Sequence, residues 1–215
     1  MPSSSNKTLA PVRFITTVLD AIPSRIEKHW SAAVRFGWYP NAESDIAFGK
    51  ELLANSADLD KFMVEQIQLD WNTLTKSLSL SYPHRQHILE CAFDLHESGR
   101  FIASVPLFLA QADGIVAERI GSHFFTDHES RDEKILLKLA EENRISAAIL
   151  RLLIPRTQFQ AGISKSSLRK KELAPNRNGI LHGAKRHLDY GTQMNSFKAF
   201  SLLAFVAFVF RAAPR

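Results

Sequence analysis

The stretch FIASVPLFLAQADGIVAERIG, residues 101–121, decides the fold. It is apolar along most of its length, which predicts a central helix buried on several sides. Pro106 sits early enough to be tolerated in a first turn if the helix begins near Val105.

Upstream, HRQHILECAFDLHESGR (84–100) follows Pro83 and reads as a helix ending near Gly99. SLSLSYP (77–83) alternates polar and apolar residues as a lone strand would, but with no partner strand in the chain it is expected to be an extended connection. Helices are predicted over 57–78, where Asp58 and Asp60 suit an N-terminus, over 42–54, and over 12–36 with an interruption at Pro23. GWYPN (37–41) makes a turn.

Downstream, TDHESRDEKILLKLAEENRISAAILRLLIP (126–155) gives one or two amphipathic helices with their charge outward, and QAGISKSSLRKKELAPN (160–176) is a polar surface loop. The last helix, about 195–210, is apolar on nearly every side and requires neighbours all round or a second subunit. The chain reads as all-α, a bundle of about eight or nine helices. Residues 1–11 are expected to form a disordered leader, 12–82 a helical region packed on the bundle, and 83–215 the bundle itself.

With 215 residues, 45% of them apolar, the chain buries a sizeable core. The single Cys91 excludes an internal disulfide framework and a thiolate zinc site, and fits a reducing cytoplasm. The N-terminal MPSSSNKTLAP lacks the charged start and apolar block of an export signal. AFSLLAFVAFVF (199–210) falls short of the roughly 20 residues that cross a bilayer, so no membrane partner is expected. The net charge is +5, yet from residue 165 onward ten Lys and Arg face only Glu172 and Asp189, so the rest of the chain is net acidic. The positive field is therefore concentrated near the C-terminus, as an anionic partner or a solvated charged face would have it.

Within that basic last quarter lies PNRNGILHGAKRHLDYGT, residues 175–192. Histidine is the side chain whose ordinary pKa lies near neutrality, so a residue of the type of His182 can move a proton at a ribose 2′-hydroxyl or a leaving 5′-oxygen. Arg177 stays charged and offers a planar fork of donors to phosphate oxygens. Spacing alone carries little, since a chain of this composition matches Arg, four to six residues, then His about 1.7 times by chance. On a regular helix the two positions are also rotated by about 140°. Convergence on one phosphate therefore places Arg177 at or just before a helix start with His182 a turn inside, or brings in another subunit. Lys185 and Arg186 read either as holders of flanking phosphates or as a solvated face. Tyr190, Thr192 and Asn195 either line a cleft or serve as capping residues, with Thr192 the N-cap. HFFTDH (123–128) lacks metal-ligand spacing, and there is no Gly-rich phosphate loop, so neither metal nor cofactor is expected.

RNGILHG resembles the signature of the HEPN superfamily: Arg, four to six residues, then His, often with a polar residue after the Arg, here Asn178. RQHILECAFDLHESGRFIASVPLFLAQADGI (85–115), NRNGILHG and DYGTQMNSFKAFSLLAF are similar to segments of bacterial HEPN-like proteins, and the similarity spans residues 83–210. The resemblance implies a helical bundle that forms a homodimer and brings two Arg-His sets into one cleft for metal-independent RNA cleavage. Arg177 and His182 take the family's two roles, and Asp113 in QADGI is the assisting acidic residue on an earlier helix. Such proteins occur in toxin-antitoxin and phage-defence systems, and others are catalytically silent. Three expectations follow. The first is an endoribonuclease with His182 as general acid/base and Arg177 stabilising the phosphate, contacting RNA through Asn178, Lys185, Arg186 and Tyr190. The second is an inactive module that binds nucleic acid or a nucleotide. The third is an immunity or antitoxin partner of a cognate protein, docking through the apolar last helix.

Overall fold

In the computed structural model, residues 22–40, 55–126, 128–139, 142, 144–163 and 173–210 are described. The expected leader 1–11, the helical stretches 12–21 and 42–54, and most of the basic loop 160–176 lie outside them. Among the described residues the protein is all-α, with eight α-helices and no strand. They are α1 (Ser31–Arg35, entered from a π-helical turn at Ile26–Trp30), α2 (Ser56–Ser81), α3 (Gln86–Glu97), α4 (Phe101–Ile120), α5 (His128–Leu139), α6 (Arg144–Leu150), α7 (Arg177–Leu181) and α8 (Gln193–Val209).

Local chemistry sets most of these boundaries. Asn55 caps α2 by accepting from the Ala57 N–H, with Asp58 in the first turn. Gly99, at φ +72°, closes α3 in a Schellman motif: the Arg100 N–H donates to the Leu95 carbonyl and the Gly99 N–H to that of His96. Thr192 Oγ1 accepts from the Asn195 N–H and starts α8, as the capping reading expected.

Two expectations need correction. SLSLSYP is not an extended connection, because α2 runs through Ser81 and stops only before Pro83. Its alternation is incidental: on the helix Leu78 is buried while Leu80, about 200° further round, is 72% exposed. Nor does α4 start near Val105. It begins at Phe101, which puts Pro106 inside the helix, where the ring removes the N–H that would have bonded the Ile102 carbonyl. The Tyr190 hydroxyl donates to that carbonyl at 2.8 Å and replaces the lost bond.

The core is one continuous apolar cluster drawing on residues from Ile26 to Phe210. At its centre α8 packs along α4 and against α2, so every residue from Ser196 to Ala207 is buried within this chain. The apolar circumference of the last helix is therefore covered by the chain's own helices, and the face invoked for a docking partner is occupied. Helix α4 is long and apolar enough, by length and composition, to cross a membrane, and half of that window is buried in the fold.

Two cations lie inside the core. Lys198 Nζ is 3.0 Å from both Asp60 Oδ1 and the Leu173 carbonyl, and it sits over the Trp38 ring. Burial lowers its pKa, and Asp60 opposes that shift. Arg131, fully buried, donates to the carbonyls of Phe124 and Ile154 and to Asp132. Each guanidinium or ammonium crosslinks segments that are distant in sequence, which keeps a desolvated charge satisfied.

Candidate active site

The motif NRNGILHG is a complete, very short helix with both ends specified. Asn176 is the N-cap, its Oδ1 accepting from the Gly179 N–H at 2.6 Å. Its Nδ2 donates to the carbonyls of Ala161 and Gln158, tying the helix start to the turn at 158–161. Gly183, at φ +59°, closes a Schellman motif in which the Ala184 N–H reaches the Gly179 carbonyl and the Gly183 N–H that of Ile180. Gly179 has a packing reason as well, since a Cβ there would lie 2.2 Å from Cδ2 of the buried His187 ring. Just upstream, the Leu173 carbonyl is held by Lys198, and Gly37 presses so close to it that a Cβ at 37 would come within 2.3 Å.

This frame projects Arg177, the first residue of α7, toward Asp113 on α4. The guanidinium Nη2 is 3.8 Å from Asp113 Oδ2, the group lies 5.5 Å from the centre of the Phe125 ring, and Nη1 donates to Asn178 Oδ1 at 3.2 Å. At 3.8 Å the Asp113 contact is an ion pair rather than a hydrogen bond, so Arg177, one-fifth exposed, keeps donors for an incoming anion.

Asp113 is mostly buried and uses its two oxygens differently. Oδ1 accepts from the backbone N–H of Phe124 at 2.7 Å and faces that of Phe125 at 3.4 Å, while Oδ2 faces Arg177 and Nδ1 of His123, the latter at 3.1 Å. The turn carrying His123 is gripped from its other side by Arg131, which binds the Phe124 carbonyl. The His123 side chain is 57% exposed. A carboxylate thus fixes a guanidinium and an imidazole side by side at the surface, an arrangement suited to holding an anion and moving a proton.

The residues singled out from the sequence divide into those that join this cluster and those that do not. Arg177, Asp113 and Asn178 are brought together. His182 is the C-cap of α7, exposed, and its imidazole has no hydrogen bond or ion pair among the described residues. Arg177 is at the helix start as expected, but His182 closes the helix instead of sitting a turn inside it, about 140° round the axis. Lys185 and Arg186 are exposed on the following 3-10 turn, with Arg186 Nη1 3.4 Å from the Ile163 carbonyl. Tyr190 bonds Ile102, eleven residues before Asp113 on α4, roughly 16 Å along the axis, so it stands apart from the cluster.

His123 was not among the expected site residues, although HFFTDH had been considered for metal binding. The signal that finds it is Gly121, whose left-handed conformation ends α4 and folds residues 122–125 back toward Asp113, two turns upstream. Among the described residues no group of three or more His, Cys, Asp or Glu side chains is placed to hold a metal ion. No family model, no curated protein and no solved structure matches this chain.

Proposed function

We propose that the chain is a metal-independent, HEPN-like endoribonuclease. The observation that carries this reading is the pairing of Arg177 with Asp113, which joins the motif arginine to a carboxylate 64 positions earlier on the central helix. In this mechanism an imidazole takes the proton of a ribose 2′-hydroxyl, O2′ bonds to phosphorus, and the P–O5′ bond breaks as O5′ gains a proton. His182 is the general acid/base. Arg177, oriented by Asp113, neutralises the charge that builds on the non-bridging oxygens. His123, held by the same carboxylate, places a second imidazole beside Arg177.

Asn178, Lys185 and Arg186 take the flanking phosphates, so affinity weakens as salt rises. The divergence of Arg177 and His182 around α7 favours a homodimer in which the two copies supply complementary halves of one cleft. A toxin or phage-defence effector kept in check by a cognate protein is the setting this activity suits.

The test is incubation of the purified protein with varied RNAs in EDTA, followed by analysis of the ends. The reading requires fragments ending in a 2′,3′-cyclic phosphate, or its hydrolysis product, opposite a 5′-hydroxyl. Binding without cleavage across the RNAs would instead support the silent nucleic-acid-binding module.

A further inference from the structure

At the opposite end of α4 from Asp113, roughly 18 Å along its axis, a cleft of about 480 Å³ opens between the middle of α2, the end of α3 and the first turns of α4 and α8. Its walls include the aromatic rings of Trp71, Phe101 and Phe197, with Gln193 at the rim. Its volume is in the range of small-molecule sites, and its walls are mixed, the three aromatic rings alternating with Gln68, His96, Glu97 and Gln193. Among the described residues Glu97 is its only fully charged lining residue, and no described Lys or Arg lines it. The Glu97 carboxylate is held in place by the Trp71 Nε1–H, which donates to Oε1 at 2.5 Å.

His96 forms part of the inner wall of the cleft. His96 is only 7% exposed and is boxed by Trp71, Phe101, Phe108 and Phe197. Its Nδ1 is 2.8 Å from Ser196 Oγ, which is 2.7 Å from Ser104 Oγ, so that edge of the ring is satisfied by α8 and α4. Nδ1 is the ring nitrogen that is hydrogen-bonded among the described residues. Burial pushes the His96 pKa down to about 4, so the ring is neutral at neutral pH and does not repel a cation.

We infer that this cleft binds a small amine with an aromatic body, its ammonium against the Glu97 carboxylate and its ring against Phe101 and Phe197. A carboxylate beside aromatic rings favours a cation, and with no Lys or Arg among the described lining residues the same wall disfavours phosphates and carboxylates. The site is separate from the Arg177 cluster and does not depend on the nuclease reading.

Isothermal titration at pH 7 tests it, using 2-phenylethylamine and the isosteric anion 3-phenylpropionate as probes. The amine is expected to bind with a Kd below about 1 mM, and the anion at least ten-fold more weakly. Glu97→Gln keeps an acceptor for the Trp71 N–H and removes the charge, so it should weaken amine binding at least ten-fold with an unchanged helical spectrum. Arg177→Ala should leave amine binding unaltered. Failure of the amine to bind, equal binding of the anion, or undiminished binding by the Glu97→Gln variant would each overturn the proposal.

Discussion

The buried imidazole of His96 makes stability depend on pH in a defined window. In the folded chain the ring gains a proton only near pH 4, because burial among aromatic rings disfavours its charged form, whereas an unfolded histidine gains one near pH 6.5. Between those values the unfolded state is protonated and the folded state is not, so acid pulls the equilibrium toward unfolding. The contribution is present above pH 6.5, falls as pH drops through the window and is lost as pH passes below about 4. A displacement from 6.5 to about 4, at roughly 1.36 kcal/mol per unit, sets a ceiling near 3 kcal/mol. Discounted for the ring edge that reaches the solvent of the cleft, it is about 2 kcal/mol. Urea unfolding followed by circular dichroism at pH 7, 6, 5 and 4.5 measures this slope. His96→Phe keeps the ring contacts and leaves Ser196 bonded to Ser104, so the difference between the two pH profiles isolates the imidazole. Parallel profiles for the two proteins, or an imidazole NMR resonance assigned to His96 and titrating near pH 6.5, would refute the reasoning.

The short helix bearing the motif is open to equally direct tests. Gly179→Ala forces a Cβ into the His187 ring, so it should destabilise by about 1–3 kcal/mol despite alanine's helix preference of about 1 kcal/mol, and a further His187→Ala change should recover part of the loss in thermal unfolding. Tyr190→Phe strands the Ile102 carbonyl opposite Pro106 and should cost about 1 kcal/mol, with faster amide exchange confined to the first turns of α4.

The helical architecture was legible because its signals are local. The apolar period of 101–121, Gly99 after α3 and Thr192 before α8 each act within a few residues, and each does in the structure what the sequence suggested. Errors arose where a distant group intervened. Pro106 could be carried inside α4 because Tyr190, 84 positions later, supplies the missing donor. The alternation in SLSLSYP misled because a Leu-Ser pattern does not distinguish a pleated face from two opposite sides of a helix when only one of the leucines is buried.

The candidate site was legible in part for the same reason. Of the three residues that the sequence assigns to catalysis, Arg177, His182 and Asp113, Arg177 and Asp113 meet. His123 joins them only because Gly121 reverses the chain, and Arg131 and Lys198 hold the frame through backbone carbonyls that carry no residue-type signature. Tyr190 meets α4 toward its other end from Asp113, a separation along the helix axis that proximity to the motif in sequence does not reveal.

The cleavage rate of RNA in EDTA, measured under single-turnover conditions for the unaltered protein and for Arg177→Ala, His182→Ala and Asp113→Asn, tests the central claim most directly. The account predicts a loss of at least 100-fold for each of the first two and a smaller loss for the third, with helical spectra unchanged. Full cleavage by either the Arg177 or the His182 variant would contradict it.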